Sequence, residues 1–210
     1  MILLYLLLII ASYLIGAIPS GVVLAKAFSS TDIRQEGSGN IGATNVTRVL
    51  GKKLGALTLA GDLLKGFLPV CIGSFLVSSL NVVCLMGMAA FLGHLFPVYL
   101  RFKGGKGVAT ALGVFLYFAP LVILIEIAIF IAAVGIWKYV SLGSLIAAAA
   151  IPLLLLLFAS PKPVVLLSSA FALLIFIKHK ANIQRLLSGT ENKFGTKKAD
   201  GSSRSDRGFL

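Results

Sequence analysis

The sequence predicts an all-α, polytopic membrane protein, and three observations carry that expectation. Of its 210 residues, 58% are hydrophobic and only 12% charged, with a mean hydropathy of +1.01. A soluble domain of this size needs far more charge to cover its surface. The apolar runs Ile2–Ile18, Leu54–Leu80, Val82–Leu100, Val108–Tyr139 and Leu142–Ala159 are long enough to cross a bilayer, which takes ~20 residues. Finally, the net charge of +12 is concentrated in the polar loops between those runs.

Spans are expected at 2–27, 53–76, 82–100, 108–119, 121–137, 142–159 and 163–178. The first lacks a basic leading segment and a small-x-small cleavage site, so it reads as a retained span and not a signal. Pro19-Ser20-Gly21 closes it. Cys71 and Cys84 lie in separate apolar runs without metal-ligand spacing and read as buried small hydrophobes. Isolated glycines such as Gly16, Gly66 and Gly93 read as sites of close helix packing. Ala119-Pro120 marks either a turn between two segments or a kink in one span, which gives seven segments or fewer.

With seven, one side receives loops 29–52, 101–107, 138–141 and the C-terminal 179–210, which hold most of the nineteen Lys and Arg. The other receives 77–81, the Pro120 turn and Ser160–Pro163. The positive-inside rule then places the basic loops and C-terminus in the cytoplasm and the N-terminus outside. Topology accounts for the basic charge, and no nucleic-acid partner is expected. Residues 1–195 read as a single membrane-embedded domain. Residues 196–210, rich in Lys, Ser, Gly and Asp without apolar periodicity, read as a disordered cytoplasmic tail.

Two loops carry more than a plain connection needs. The first contains GSGNIGATNVTRVLGKK (37–53), the second RFKGGKGVAT (101–110). Glycines among small polar residues let consecutive backbone N–H groups face one concavity, which suits an anion. Adjacent cations and a following helix N-terminus strengthen such a site. The spacing at Gly37, Gly39 and Gly42 also matches G-x-G-x-x-G, with Asp62 twenty residues further on. A dinucleotide fingerprint must follow a strand in a βαβ unit; this one follows a membrane span, so the match is accidental. Walker A fails as well, since neither Gly51-Lys52 nor Gly105-Lys106 precedes Ser or Thr.

Asp62 and Lys65, three apart, read as an ion pair on one helix face. The segment from Lys178 to Leu186 reads as a helix with Lys178, Asn182 and Arg185 on one face and His179 beside Asn182. Glu126 stands alone in an apolar span and is a functional candidate by default. Neither His94 nor His179 is followed by an acid at acyltransferase H-x4-D spacing. No metal site and no cofactor is expected, so chemistry must rest on positioning and electrostatics. A phosphate or organic-anion transporter would want cationic loops too, but with anion sites near the bilayer midplane; these loops sit at one face.

GSGNIGATNVTRVLG, GHLFPVYLRFKGGKGVAT and KHKANIQRLLSGTE, with IPSGVVLAK near the start, closely resemble the PlsY family of bacterial membrane acyl-phosphate:glycerol-3-phosphate acyltransferases. The resemblance runs from about Ile15 to Glu191. It implies seven spans in the bacterial cell membrane, an active site at the cytoplasmic face, and acyl transfer from acyl phosphate to glycerol 3-phosphate, the first acylation of phospholipid synthesis. It also implies functional coupling to the soluble enzyme that makes acyl phosphate. By position it implicates Ser38, Asn40, Thr44, Asn45 and Arg48 in the first motif, and Gly104, Gly105, Lys106 and Gly107 in glycerol 3-phosphate binding. His179 and Asn182 are implicated in activity, Glu191 in holding the site together, and Ser141 or Ser144 in a polar loop at the site. Of these, Ser38, Arg48, His179 and Asn182 are the expected catalytic set. Lys180 stands where the family usually has Arg, and lysine lacks the bidentate geometry. The sequence leaves open which loop takes which phosphate, and whether His179 or a substrate phosphate receives the proton.

Overall fold

The computed structural model describes residues 1–195, and the expected tail at 196–210 lies outside them. Among the described residues the regular elements are all helical. They are α1 (Ile2–Gly16), α2 (Ser20–Phe28), α3 (Ala43–Leu50), α4 (Lys52–Leu76), α5 (Leu80–Leu95), α6 (Val108–Phe118), α7 (Pro120–Trp137), α8 (Val140–Leu157), α9 (Lys162–Lys178) and α10 (Lys180–Leu187). A 3-10 turn, Val98–Leu100, follows α5.

The expected single span at 2–27 is instead broken, with α1 and α2 bent by 44°. Pro19 has no N–H to continue the ladder, which frees backbone groups inside an apolar bundle. Lys65 Nζ answers this by donating to the Ile18 carbonyl at 2.7 Å. Its charge is balanced by Asp62, 2.7 Å away in the same helix. The anticipated Asp62–Lys65 pair therefore exists, and it also closes a break in another helix, as irregular backbone at membrane depth requires.

Ala119-Pro120 separates two helices. Proline suits the first position of α7, where its missing N–H is harmless, and it ends α6. At 11 residues α6 is ~16 Å long, about half of the ~30 Å hydrocarbon thickness. Four helices are long and apolar enough to cross, or up to six if each bent pair counts as one span.

The interior centres on Phe91, Phe115 and Phe171. Phe91 stacks on Phe171 with centroids 3.8 Å apart, and Phe115 meets Phe171 edge-on at 5.2 Å. Gly16 and Gly93 let α1 and α5 touch backbone to backbone, and Gly66 and Gly113 do the same for α4 and α6. The outer surface is as apolar as the core: Leu124, Ile131, Leu153, Leu166 and Leu173 are each at least 60% exposed. In water such a surface would drive aggregation. In hydrocarbon it is the solvated face, and the protein is a multi-pass membrane protein.

Candidate active site

The expected site residues come from four separate stretches, and a cavity of about 520 Å³ gathers most of them. Ser38, Asn40, Thr44, Asn45, Arg48, Lys106, Gly107, Ser141, Ser144, His179, Asn182 and Glu191 all line it. Gly104 faces a neighbouring cleft with Arg101 and Lys103. Gly105 lies flat on the His94 ring, where a Cβ would have no room.

Two helix N-termini open onto this cavity. α3 begins after Gly42, and Ala43 and Thr44 line the wall; α6 begins after Gly107, with Val108 and Ala109 on the wall. The first N–H groups of a helix have no partner within it. Neither helix has an acidic residue in its first turn to compete for them. Both ends therefore present donors and a partial positive charge to an anion. Gly107 reaches this geometry with φ at +83°, packed against Phe91 and Leu95.

The loop before α3 is held by Asn45. Its Oδ1 accepts the Ser38 N–H at 2.8 Å, and its Nδ2 donates to the Ile33 and Glu36 carbonyls at 2.9 and 3.1 Å. Asn45 thus clamps loop 33–38, with both of its amide N–H donors engaged by backbone carbonyls. Asn40 accepts the Gly42 N–H at 2.9 Å and sets the turn into α3. Ser38, Thr44 and Arg48 remain exposed on the cavity wall.

Opposite lies a hydrogen-bonded chain. Lys106 Nζ donates to Asn182 Oδ1 at 2.5 Å, and Asn182 Nδ2 donates to Glu191 Oε1 at 2.7 Å. Ser141 donates to the same Oε1 at 2.7 Å, and Arg185 Nε to Glu191 Oε2 at 2.7 Å. Glu191 can fold back because α10 ends in a Schellman motif. Gly189 is left-handed at φ +70°, the Thr190 N–H reaches the Arg185 carbonyl at 2.8 Å, and the Gly189 N–H reaches that of Leu186 at 3.2 Å. Burial works against the Glu191 carboxylate, but hydrogen bonds from Ser141, Asn182 and Arg185 outweigh it and hold its pKa below the usual range.

This chain also decides the course of residues 108–137. Lys106 precedes α6, Ser141 follows α7, and both join Glu191's network, so the two ends of that segment lie at one end of the bundle. It turns back at Pro120. Ser141 and Ser144 belong to the first turns of α8 and not to a loop; Ser144 donates to the Val140 carbonyl at 2.9 Å. The helix expected from Lys178 onward is bent by 60° at His179. Lys178 consequently leaves the site, donating to the Leu95 carbonyl at 2.8 Å and covering the Phe96 ring.

Two further residues belong here. Arg185 lines the cavity and pairs with Glu191. His94 lies beneath the glycine-lysine loop, with its carbonyl accepting the Gly105 N–H at 3.1 Å. A lone histidine at the end of an apolar run carries no sequence signal for that role. Among the described residues, no group of three His, Cys, Asp or Glu side chains could hold a metal ion.

Burial first, and then the charges of Arg185 and Arg48, lower the Lys106 pKa to about 8, with Glu191 opposing. The site therefore loses a cation as pH rises through about 8. Calorimetric titration with inorganic phosphate is expected to show affinity falling across that pH, opposite to the rise that phosphate's own second ionisation, just above neutrality, would give.

Beyond the polar mouth the cavity becomes apolar. On α8 its lining runs from Ser141 and Ser144 to Ala148 and Ile151, ~15 Å further along the axis. Ile123, Ile127 and Phe130 of α7 and Phe171 and Ile175 of α9 complete this channel.

A family model described as glycerol-3-phosphate acyltransferase matches residues 6–189. The chain belongs to this family. It is 55% identical over 188 residues to a glycerol-3-phosphate acyltransferase of Syntrophotalea carbinolica, covering 89% of this chain and 95% of the relative. It is 54% identical to that of Geotalea daltonii, covering 89% and 96%. The crystal structure of PlsY, an integral membrane glycerol 3-phosphate acyltransferase, in its glycerol 3-phosphate form superposes with a TM-score of 0.86 at 44% identity, covering 91% of this chain and 96% of that one. Its lysophosphatidic acid form gives 0.84. Within the family, then, this member pairs a cationic mouth with an apolar channel.

Proposed function

We propose that this protein transfers the acyl group of an acyl phosphate to the 1-hydroxyl of glycerol 3-phosphate, releasing phosphate and 1-acylglycerol 3-phosphate. The observation that carries this reading is the single cavity joining two cation-flanked helix N-termini to an apolar channel. Two phosphates fit the mouth and one hydrocarbon chain fits the channel. The relatives' names supply glycerol 3-phosphate, and the lysophosphatidic acid form of the related structure fits the product.

Ser38, Arg48 and the start of α3 hold the phosphate of the donor. Lys106, Gly107 and the start of α6 hold that of glycerol 3-phosphate. The hydroxyl oxygen bonds to the acyl carbon, the bond from that carbon to the phosphate oxygen breaks, and phosphate leaves with its electron pair. The N–H groups and cations are fixed before the charge shifts, which is the economical form of electrostatic catalysis. The basic loops face the cytoplasm and the N-terminus lies outside in a seven-segment topology. A soluble enzyme that makes acyl phosphate supplies the donor.

The hydroxyl proton has two destinations. His179 Nδ1 donates to the Ile175 carbonyl at 2.8 Å, which leaves Nε2 as an acceptor. Burial first, then the Lys106 charge, lowers the His179 pKa to about 4. A phosphate with a second pKa of ~6 is the stronger base, so it takes the proton while His179 orients the glycerol. His179→Ala is then expected to lower kcat by ~10- to 100-fold with glycerol 3-phosphate still bound, and His179→Gln to recover part of it. A loss near ~10⁴-fold in both variants would assign the proton to the histidine.

Purified protein given acyl phosphate and labelled glycerol 3-phosphate should form lysophosphatidic acid. No product, together with phosphate transport by reconstituted vesicles, would overturn the reading.

A further inference from the structure

Glu126 is a second polar group on the cavity wall, set apart from the catalytic mouth. It lies on α7 and is only 6% exposed, and its Oε1 has no hydrogen-bond partner among the described residues. Its neighbours along the cavity are apolar: Ile123, Ile127 and Phe130 on the same helix and Ile151 on α8. Lys138, which ends α7 at the mouth, is twelve positions further along the chain, so Glu126 lies ~18 Å below that end. That is more than half of the ~30 Å hydrocarbon thickness. An acyl chain whose carbonyl sits among Ser141 and His179 therefore meets Glu126 with its distal half.

The energetics at that point are asymmetric. A buried oxygen without a partner is costly, and a methylene pressed against it excludes the water that could relieve it. A chain that ends nearer the mouth leaves the oxygen room for water. A chain carrying a hydroxyl at this depth supplies the missing partner directly. We propose that Glu126 selects the acyl chain: it disfavours plain saturated chains long enough to lie against it, and favours chains that stop short or carry a hydroxyl there. The proposal rests on the acyl-transfer reading above.

The test is a series of saturated acyl phosphates from decanoyl to stearoyl, plus a palmitoyl phosphate hydroxylated in its distal half. Each is assayed with the wild type, Glu126→Leu and Glu126→Gln in lipid. For the wild type, kcat/KM should fall at the long saturated end and be about tenfold higher for the hydroxylated chain than for its saturated counterpart. Glu126→Leu should raise the longest saturated donors about tenfold and abolish the hydroxyl preference, while Glu126→Gln keeps both features of the wild type. A Glu126→Leu profile superimposed on the wild type, or no hydroxyl preference in the wild type, would overturn the proposal. The second comparison needs no variant, so it stands even where Glu126→Leu does not fold. A wild type inactive on every acyl phosphate would instead overturn the acyl-transfer reading itself.

Discussion

Glu191→Ala is expected to lower kcat/KM for glycerol 3-phosphate by about 10²- to 10³-fold, because it removes the hydrogen bonds of Ser141 and Asn182 to a carboxylate, each contributing ~1.5–3 kcal/mol. The Arg185–Glu191 pair is not the reason: Arg185 is 38% exposed, and pairs that open to solvent contribute little. The effect runs through Glu191 Oε1, which accepts from both Ser141 and Asn182. Without it Asn182 loses the acceptor that fixes its amide, and Lys106 Nζ loses the Asn182 oxygen that aims it into the cavity. Glu191→Gln keeps one carbonyl acceptor but turns an N–H2 toward a side that needs an acceptor, so it should fall between the wild type and Ala. Steady-state kinetics should show KM rising in both variants, with kcat falling more in Ala. Unchanged kinetics in Glu191→Ala would remove Glu191 from the site.

How far the sequence foretold this arrangement depends on the range of the interaction. The apolar segments were legible because lipid makes hydropathy a direct record of solvent. The two glycine-cation loops were legible because glycine beside cations and small polar residues is unusual in a short connection. The break at Pro19 was not, since what stabilises it is Lys65, 47 positions away. Asn45 stood out as a site residue because it sits in the motif, and only the fold shows its amide clamped to the backbone at Ile33, Glu36 and Ser38. Ser141 and Ser144 looked like loop residues because helix starts in polar stretches have no apolar period to announce them. His94 gave no local sign that its ring lies under Gly105. Short-range chemistry was written in the motifs, whereas long-range partnering was not.

Lys106 is the point where these threads meet, and its removal should have the other large effect. Lys106→Ala is expected to lower kcat/KM by about 10²- to 10³-fold, the usual cost of removing one preorganised donor that faces substrate charge. Lys106→Arg restores the charge but not the geometry. The ammonium is a point charge within 2.5 Å of Asn182 Oδ1, in a loop pinned by Gly105 on His94 and by Gly107 on Phe91. A planar guanidinium needs more room than that wall provides, so Arg should recover phosphate binding better than it recovers kcat. The pH dependence separates the two roles. Wild-type affinity for inorganic phosphate should decline through about 8, where Lys106 loses its proton. In Lys106→Ala that decline should vanish, with weak binding at every pH. In Lys106→Arg it should vanish as well, because guanidinium stays charged, but with affinity held near the wild-type level at low pH. A decline through about 8 that survives both substitutions would place the titrating group elsewhere and leave Lys106 without its proposed charge role.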